Sequence, residues 1–172
     1  MTDIHIRRAQ KEDASLIAAI SRETFYDSFA EQNTAEDMEL FMEQQFSTAL
    51  LMEELFDASN IFFLAMHEEE PAGYIKMKPG TPIELADANN AIEICRFYAR
   101  KNMIGKGVGK AMMLHAVQCA KSIHSNTIWL GVWEHNKRAI DFYTSFGFRK
   151  FSEHDFVLGK DVQRDWLMKK EV

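Results

Sequence analysis

The chain has little of what would tie it to a metal, a membrane or an oxidising compartment. Its 172 residues hold two cysteines, Cys95 and Cys119, both in apolar surroundings and without metal-ligand spacing. That argues against a disulfide scaffold and points to a reducing, cytoplasmic setting. The six histidines form no His-x-x-x-His or similar pair, so no metal is expected. No apolar run approaches the roughly 18 residues of a membrane span, and Met1 to Gln10 has no apolar stretch of a secretory signal. Three prolines and eight glycines leave no low-complexity segment, and no internal repeat is visible. Positive charge is scarce in the first half. Residues 1–90 carry 6 Lys and Arg against 18 Asp and Glu, whereas residues 91–172 carry 14 against 8. The total of −6 makes a nucleic acid a poor partner. The split instead suggests a bipolar molecule with a cationic ligand in front and an anionic one behind, although acidic helix faces that merely solubilise would look the same.

What is present is ordinary globular composition, 47% apolar and 27% charged, in a length that fits one domain over residues 1–172. Ile4 to Arg8 alternates as a strand, and Ala14, Ile17, Ile20, Thr24/Phe25 and Phe29 recur at helical spacing. Thr34 with Asp37 has the spacing of a capping box for a second helix to about Gln45, and Ser47 caps a third reaching Phe56. Asn60 to Met66 and Tyr74 to Lys78 predict a hairpin, followed by an irregular polar connection over residues 81–90. Then come a strand over Ala91–Ala99, a helix after the glycines, a strand over Thr127–Trp133 and a helix after Asn136. Phe148–Phe156 and Val162–Lys169 predict a closing hairpin. The result is an α/β domain with a mixed sheet of about seven strands. A strict period of two along Ala91–Ala99 puts Glu93, Cys95, Phe97 and Ala99 on one face and Ile92, Ile94, Arg96 and Tyr98 on the other.

The stretch Gly105-Lys106-Gly107-Val108-Gly109-Lys110 joins a strand to a helix start, where backbone N–H groups and the helix dipole favour a phosphate. Two familiar loops fail by counting. A Walker loop needs Ser or Thr after its Gly-Lys, and Ala111 follows Lys110; its first glycine falls on Ile104. The dinucleotide fingerprint needs a third glycine where Lys110 or Met112 stands. The loop resembles the pyrophosphate loop of the GNAT acyltransferases, Gln/Arg-x-x-Gly-x-Gly/Ala, with Gly107 and Gly109 at the two glycines and Ile104 departing from Gln or Arg. A second segment, Asn136-Lys137-Arg138-Ala139-Ile140-Asp141-Phe142-Tyr143 with Gly147-Phe148, looks like the family's Asn-x-x-Ala-x-x-Phe-Tyr…Gly-Phe. ETFYDSFAEQN (Glu23–Asn33) and IWLGVWEHN (Ile128–Asn136) are similar to the PaiA-type spermidine/spermine N-acetyltransferases. The resemblance covers nearly the whole chain. It implies a mostly antiparallel GNAT sheet flanked by four or five helices.

It also implies acetyl-CoA as co-substrate, no metal, and direct attack of a primary amine, a polyamine such as spermidine, on the thioester. An alkylammonium with a pKa near ~10.4 must first lose a proton. By resemblance Tyr143 is the general acid for the departing sulfur, and Glu93 the general base, directly or through water. From spacing alone Tyr143 is equally a core residue beside Ile140 and Phe146, and Glu93 a strand-edge carboxylate. Phe97, Tyr98 and Ala99 would present backbone to the pantetheine, with the Phe97 N–H as oxyanion donor on the face of Glu93. Ile104, Gly105, Lys106, Gly107, Val108, Gly109 and Lys110 would hold the diphosphate, and Asn136 would cap its helix and contact CoA. Cys95 reads as packing. The acceptor wall would carry Tyr26, Asp27, Glu31, Asp37 and Glu39, with Trp133 and Glu134 opposite. Other acceptors (a protein N-terminus, an amino acid, an amino sugar), a CoA-sensing regulator without turnover, and a homodimer stay open.

Overall fold

The computed structural model describes residues 3–85 and 88–172. Ala86 and Asp87, in the polar connection over residues 81–90, lie outside the described residues; within it Ile83–Leu85 form a 3₁₀ turn.

Strand β1 (Ile4–Arg8) leads into three helices, α1 (Ala14–Phe29), α2 (Ala35–Gln45) and α3 (Thr48–Phe56). Side-chain caps set two of their starts. Thr34 Oγ1 accepts from the Asp37 N–H at 3.1 Å and Ser47 Oγ from the Leu50 N–H at 3.3 Å. Asp37 does not complete a capping box; its carboxylate accepts from the Lys160 N–H at 3.0 Å and ties α2 to a distant turn. Then follow β2 (Ile61–His67), β3 (Glu70–Pro79), β4 (Ala91–Ala99), α4 (Val108–Ser122), β5 (Thr127–Trp133), α5 (Lys137–Ser145), β6 (Arg149–Leu158) and β7 (Asp161–Glu171).

The seven strands form one sheet in the order β1-β2-β3-β4-β5-β7-β6. Every neighbouring pair is antiparallel except β4 with β5. Each face carries its own core. On one, Val108, Met112, Met113 and Ala116 of α4 and Tyr143 of α5 pack on Ile92, Ile94, Ile128 and Leu130. On the other, Ile17, Phe25, Phe29, Met38 and Leu51 of the first three helices pack on Phe62, Leu64, Tyr74 and Leu158. Val108, Met112, Ala116 and Ala120 face inward at the predicted helical spacing, while Ile123 at the far end is 40% exposed.

The predicted two-face alternation of β4 does not hold. Lys76 pairs with Arg96 but the next residue, Met77, pairs with Ile94, so Cys95 is an extra residue and β4 carries a bulge. Beyond it the parity inverts. Ile92, Ile94, Phe97 and Ala99 belong to the α4–α5 side, and Tyr98 packs with the α1–α3 side. Arg96 shares that side, bound by two bonds to Glu54 of α3. Glu93, between Ile92 and Ile94, therefore lies on the face opposite Phe97.

Candidate active site

The bulge coincides with an opening in the sheet. β4 and β5 pair only at Ala91/Thr127, Ile92/Ile128 and Glu93/Trp129. From Ile94 onward the β4 edge that faced β5 has no strand partner, so its backbone groups there are left for a ligand. The wedge between the diverging strands is part of a cavity of about 650 Å³. Ile94 to Ala99 line one wall and Gly131, Val132 and Trp133 the other.

One end of the cavity is the glycine loop. Gly107 is the N-cap of α4 with φ +87°, a left-handed conformation that disfavours any side chain. The first helical bond runs from the Ala111 N–H to the Gly107 carbonyl at 3.0 Å, so the N–H groups before it are orphaned by helix geometry. Gly109 is held at the ring of Phe142, which a Cβ would meet at 3.4 Å. Ile104, Gly105, Gly107, Gly109 and Lys110 line the cavity, together with Arg138. Lys106 is exposed and Val108 is buried in the core, so neither side chain forms the lining. A left-handed glycine, orphaned N–H groups and two lining cations fit a diphosphate.

Tyr143 sits across the wedge, fixed by the end of its own helix. Gly147 has φ +89°, the Phe148 N–H donates to the Tyr143 carbonyl at 3.1 Å, and the rings of Tyr143 and Phe148 lie 5.8 Å apart. This is a Schellman end with its apolar contact, and it locks Tyr143 in place. Its ring also meets Phe97 at 6.0 Å and Phe142 at 5.6 Å. Burial pushes the phenol above its usual range, and Tyr98 adds to the push. Asn136 lines the cavity and caps α5, its Oδ1 accepting from the Ala139 N–H at 3.2 Å.

Glu93 does not line the cavity; it stands at the floor of the wedge, in the last β4–β5 pair. Burial raises its pKa, opposed by a hydrogen bond with Cys95 and by Lys76, His154 and Lys78. Cys95 lines the cavity, but burial and Glu93 push its thiol up to about 12, which keeps it protonated and unreactive.

The α1–α2 side of the cavity is aromatic rather than acidic. Phe25, Phe29, Phe41 and Phe46 line it with Ser28 and Gln45, and Trp133 and Phe156 face them from the sheet. Tyr26 does not join them. One residue further round α1 than Phe25, it points outward and is 54% exposed. Glu31 is exposed in the 3₁₀ turn after α1, and Glu134 lies beyond the end of β5, beside His135 at 3.5 Å. Of the seven residues predicted for the acceptor wall, Tyr26, Asp27, Glu31, Asp37, Glu39, Trp133 and Glu134, only Trp133 lines the cavity. Asp165 of β7, paired with Trp133 across the sheet, also lines it, and burial pushes its carboxyl up to about 6. The sequence gives one signal for it, a carboxylate in phase with the buried Leu167.

A parted parallel strand pair, a glycine loop at a helix start and a buried tyrosine thus meet in one cavity. The chain belongs to the acetyltransferase (GNAT) family, whose model it matches over residues 22–148. It is an acetyl-CoA-dependent N-acetyltransferase of that type. An uncharacterized N-acetyltransferase of Lactobacillus delbrueckii subsp. lactis is 38% identical over 170 residues, 99% of this chain and 98% of that one. The spermidine N(1)-acetyltransferase of Thermoplasma acidophilum is 24% identical over 93% of this chain and 98% of its own. The fold matches that of the PaiA N-acetyltransferase of T. acidophilum in complex with coenzyme A, with a TM-score of 0.79 at 22% identity and 99% of both chains covered. Among the described residues, no helix is long and apolar enough to cross a membrane and no cluster of His, Cys, Asp and Glu suits a metal.

Proposed function

We propose that this chain, as a single cytoplasmic domain, transfers the acetyl group of acetyl-CoA to a primary amine of a polyamine by direct attack on the thioester. The observation that carries this reading is the parting of β4 from β5 after Glu93, with the Gly107 loop at one end and Tyr143 beside it. Acetyl-CoA supplies an activated acyl carbon; the rest is the work of the chain. The Gly107–Lys110 N–H groups, with Lys110 and Arg138, hold the diphosphate, and the free edge of Phe97–Ala99 accepts the pantetheine. The Phe97 N–H stabilises oxyanion charge, a role in which such a donor is worth roughly 3 kcal/mol.

Glu93 takes the ammonium proton through a bridging water, since its side chain stands at the floor of the wedge on the face away from Phe97. Its raised pKa moves it toward that task. Tyr143 donates to the sulfur as the thiolate leaves. Its elevated pKa lies above a thiol's ~8.5, so it acts as a hydrogen-bond donor to developing charge more than as a strong acid. The polyamine acceptor is supported by the acidic first half of the chain and by the relative that acts on spermidine. Mass analysis of products from a mixture of spermidine, a peptide N-terminus and glucosamine with acetyl-CoA tests the choice. Singly acetylated spermidine should dominate; preferential acetylation of the peptide or the sugar would reassign the acceptor.

A further inference from the structure

We infer that Asp165 anchors a second, non-reacting ammonium of the acceptor, so that the site selects amines carrying another cation a short chain away. The inference rests on the reading of the site as an amine acetyltransferase. Asp165 lines the cavity with a side chain only 15% exposed, and its Oδ2 lies over β5, where a Cβ on Gly131 would meet it at 3.2 Å. A glycine at position 131 is what leaves room for this carboxylate to reach across the strand.

Among the described residues, no lysine or arginine pairs with it. The neighbouring Arg164 binds Glu153 at 2.8 Å and Asp155 at 3.6 Å, and the His154 imidazole lies 3.9 Å from the Asp165 carboxylate. A carboxylate held out of water without a firm partner favours a cation brought by a ligand. Around it Phe29, Trp133 and Phe156 offer apolar and π surface, which suits a methylene chain ending in an ammonium.

Position separates this ammonium from the reacting one. The acyl carbon belongs at the open edge of β4, near Phe97, while the Asp165 carboxylate lies over β5. Neighbouring strands stand about 5 Å apart, and here they diverge further. A chain of about four bonds spans that gap, given ~3.6 Å for the three bonds of an extended residue. Glu93, at the floor of the wedge, serves the attacking amine, and Asp165 over β5 is left to hold a distal ammonium.

Trimethylenediamine and propylamine differ only in the second nitrogen, and with acetyl-CoA they form the test. The wild type should favour the diamine in kcat/KM by about tenfold or more, the worth of one charge-assisted hydrogen bond. Asp165→Asn should erase that preference through the diamine KM, leaving kcat/KM for propylamine within about twofold and CoA affinity unchanged by calorimetry. A wild type indifferent to the second nitrogen, or a variant that keeps the preference, overturns the anchor while leaving acetyl transfer intact. If neither amine releases thiol, acetyl transfer to such amines is what fails. The anchor is then decided by diamine binding to the CoA-loaded protein. An affinity about tenfold weaker in Asp165→Asn supports it, and equal affinities overturn it.

Discussion

Asp165 holds its proton to about 6 because burial disfavours the charged form, against an ordinary value of 3.8. His154 on β6 opposes the shift, and Tyr98 on β4 feels the same carboxylate, its own phenol raised to about 12 mainly by burial. The folded state therefore binds a proton that the unfolded chain releases, so stability falls as pH climbs from about 4 to 6 and stays lower above. The full shift corresponds to about 3 kcal/mol, of which solvent screening at a partly exposed group leaves on the order of 2 kcal/mol. Asp165→Asn should consequently be more stable than wild type at pH 8, by about 1–3 kcal/mol in denaturant melts, and equal to it near pH 4. Equal stability at pH 8 would mean that the carboxylate is not held out of water. At this scale the residues tied to motifs, Gly107, Gly109, Asn136 and Tyr143, come together in the lining of one cavity. Asp165 has no motif, since one carboxylate in an alternating strand looks like a solvated face until the partner strand is known.

The elements are joined by a part-buried ionic contact that the sequence does not announce. Arg96 of β4 reaches Glu54 of α3 with two bonds of 2.7 and 2.9 Å, and Lys76 of β3 adds a third at 3.3 Å. Burial alone would raise the Glu54 pKa; the bonds with Arg96 and the nearby Lys76 outweigh it and lower the value. Glu54→Gln leaves two cations half-buried without their carboxylate and should destabilise the protein by about 3 kcal/mol. For a chain of this size that lowers Tm by roughly 6–12 °C in a thermal melt at neutral pH. A lowered carboxylate pKa gives stability that is lost as pH falls through it, so variant and wild type should converge in acid. An unchanged Tm at pH 7 would show the contact to be dispensable. Helix and strand positions were legible because apolar periods of 3.6 and 2 survive in the sequence. The bulge at Cys95 was not, for no glycine or proline marks it, and it moves Phe97 to the face opposite Glu93. Their pairing as donor and base on one face falls with it.

For the whole molecule, the charge division between halves is real, but among the described residues no acidic side chain of the first half lines the cavity. Tyr26 and Glu31 are outside, and the chamber behind them is lined by phenylalanines with one carboxylate. Net charge by segment reports attraction over a distance, and which side chains point inward depends on helix rotation, which charge counting does not contain. The basic half behaves differently because loop and helix start fix Lys110 and Arg138 at the cavity. We propose that the parted strands and Tyr143 form one acyl-transfer centre. Release of CoA thiol from acetyl-CoA, with and without spermidine, in wild type and Tyr143→Phe, tests it most directly. Spermidine-dependent release is expected in the wild type. In the variant kcat should be lower by about 10²-fold or more, with CoA binding unchanged. Thiol release that ignores the amine, or that proceeds equally well without the Tyr143 hydroxyl, would contradict it.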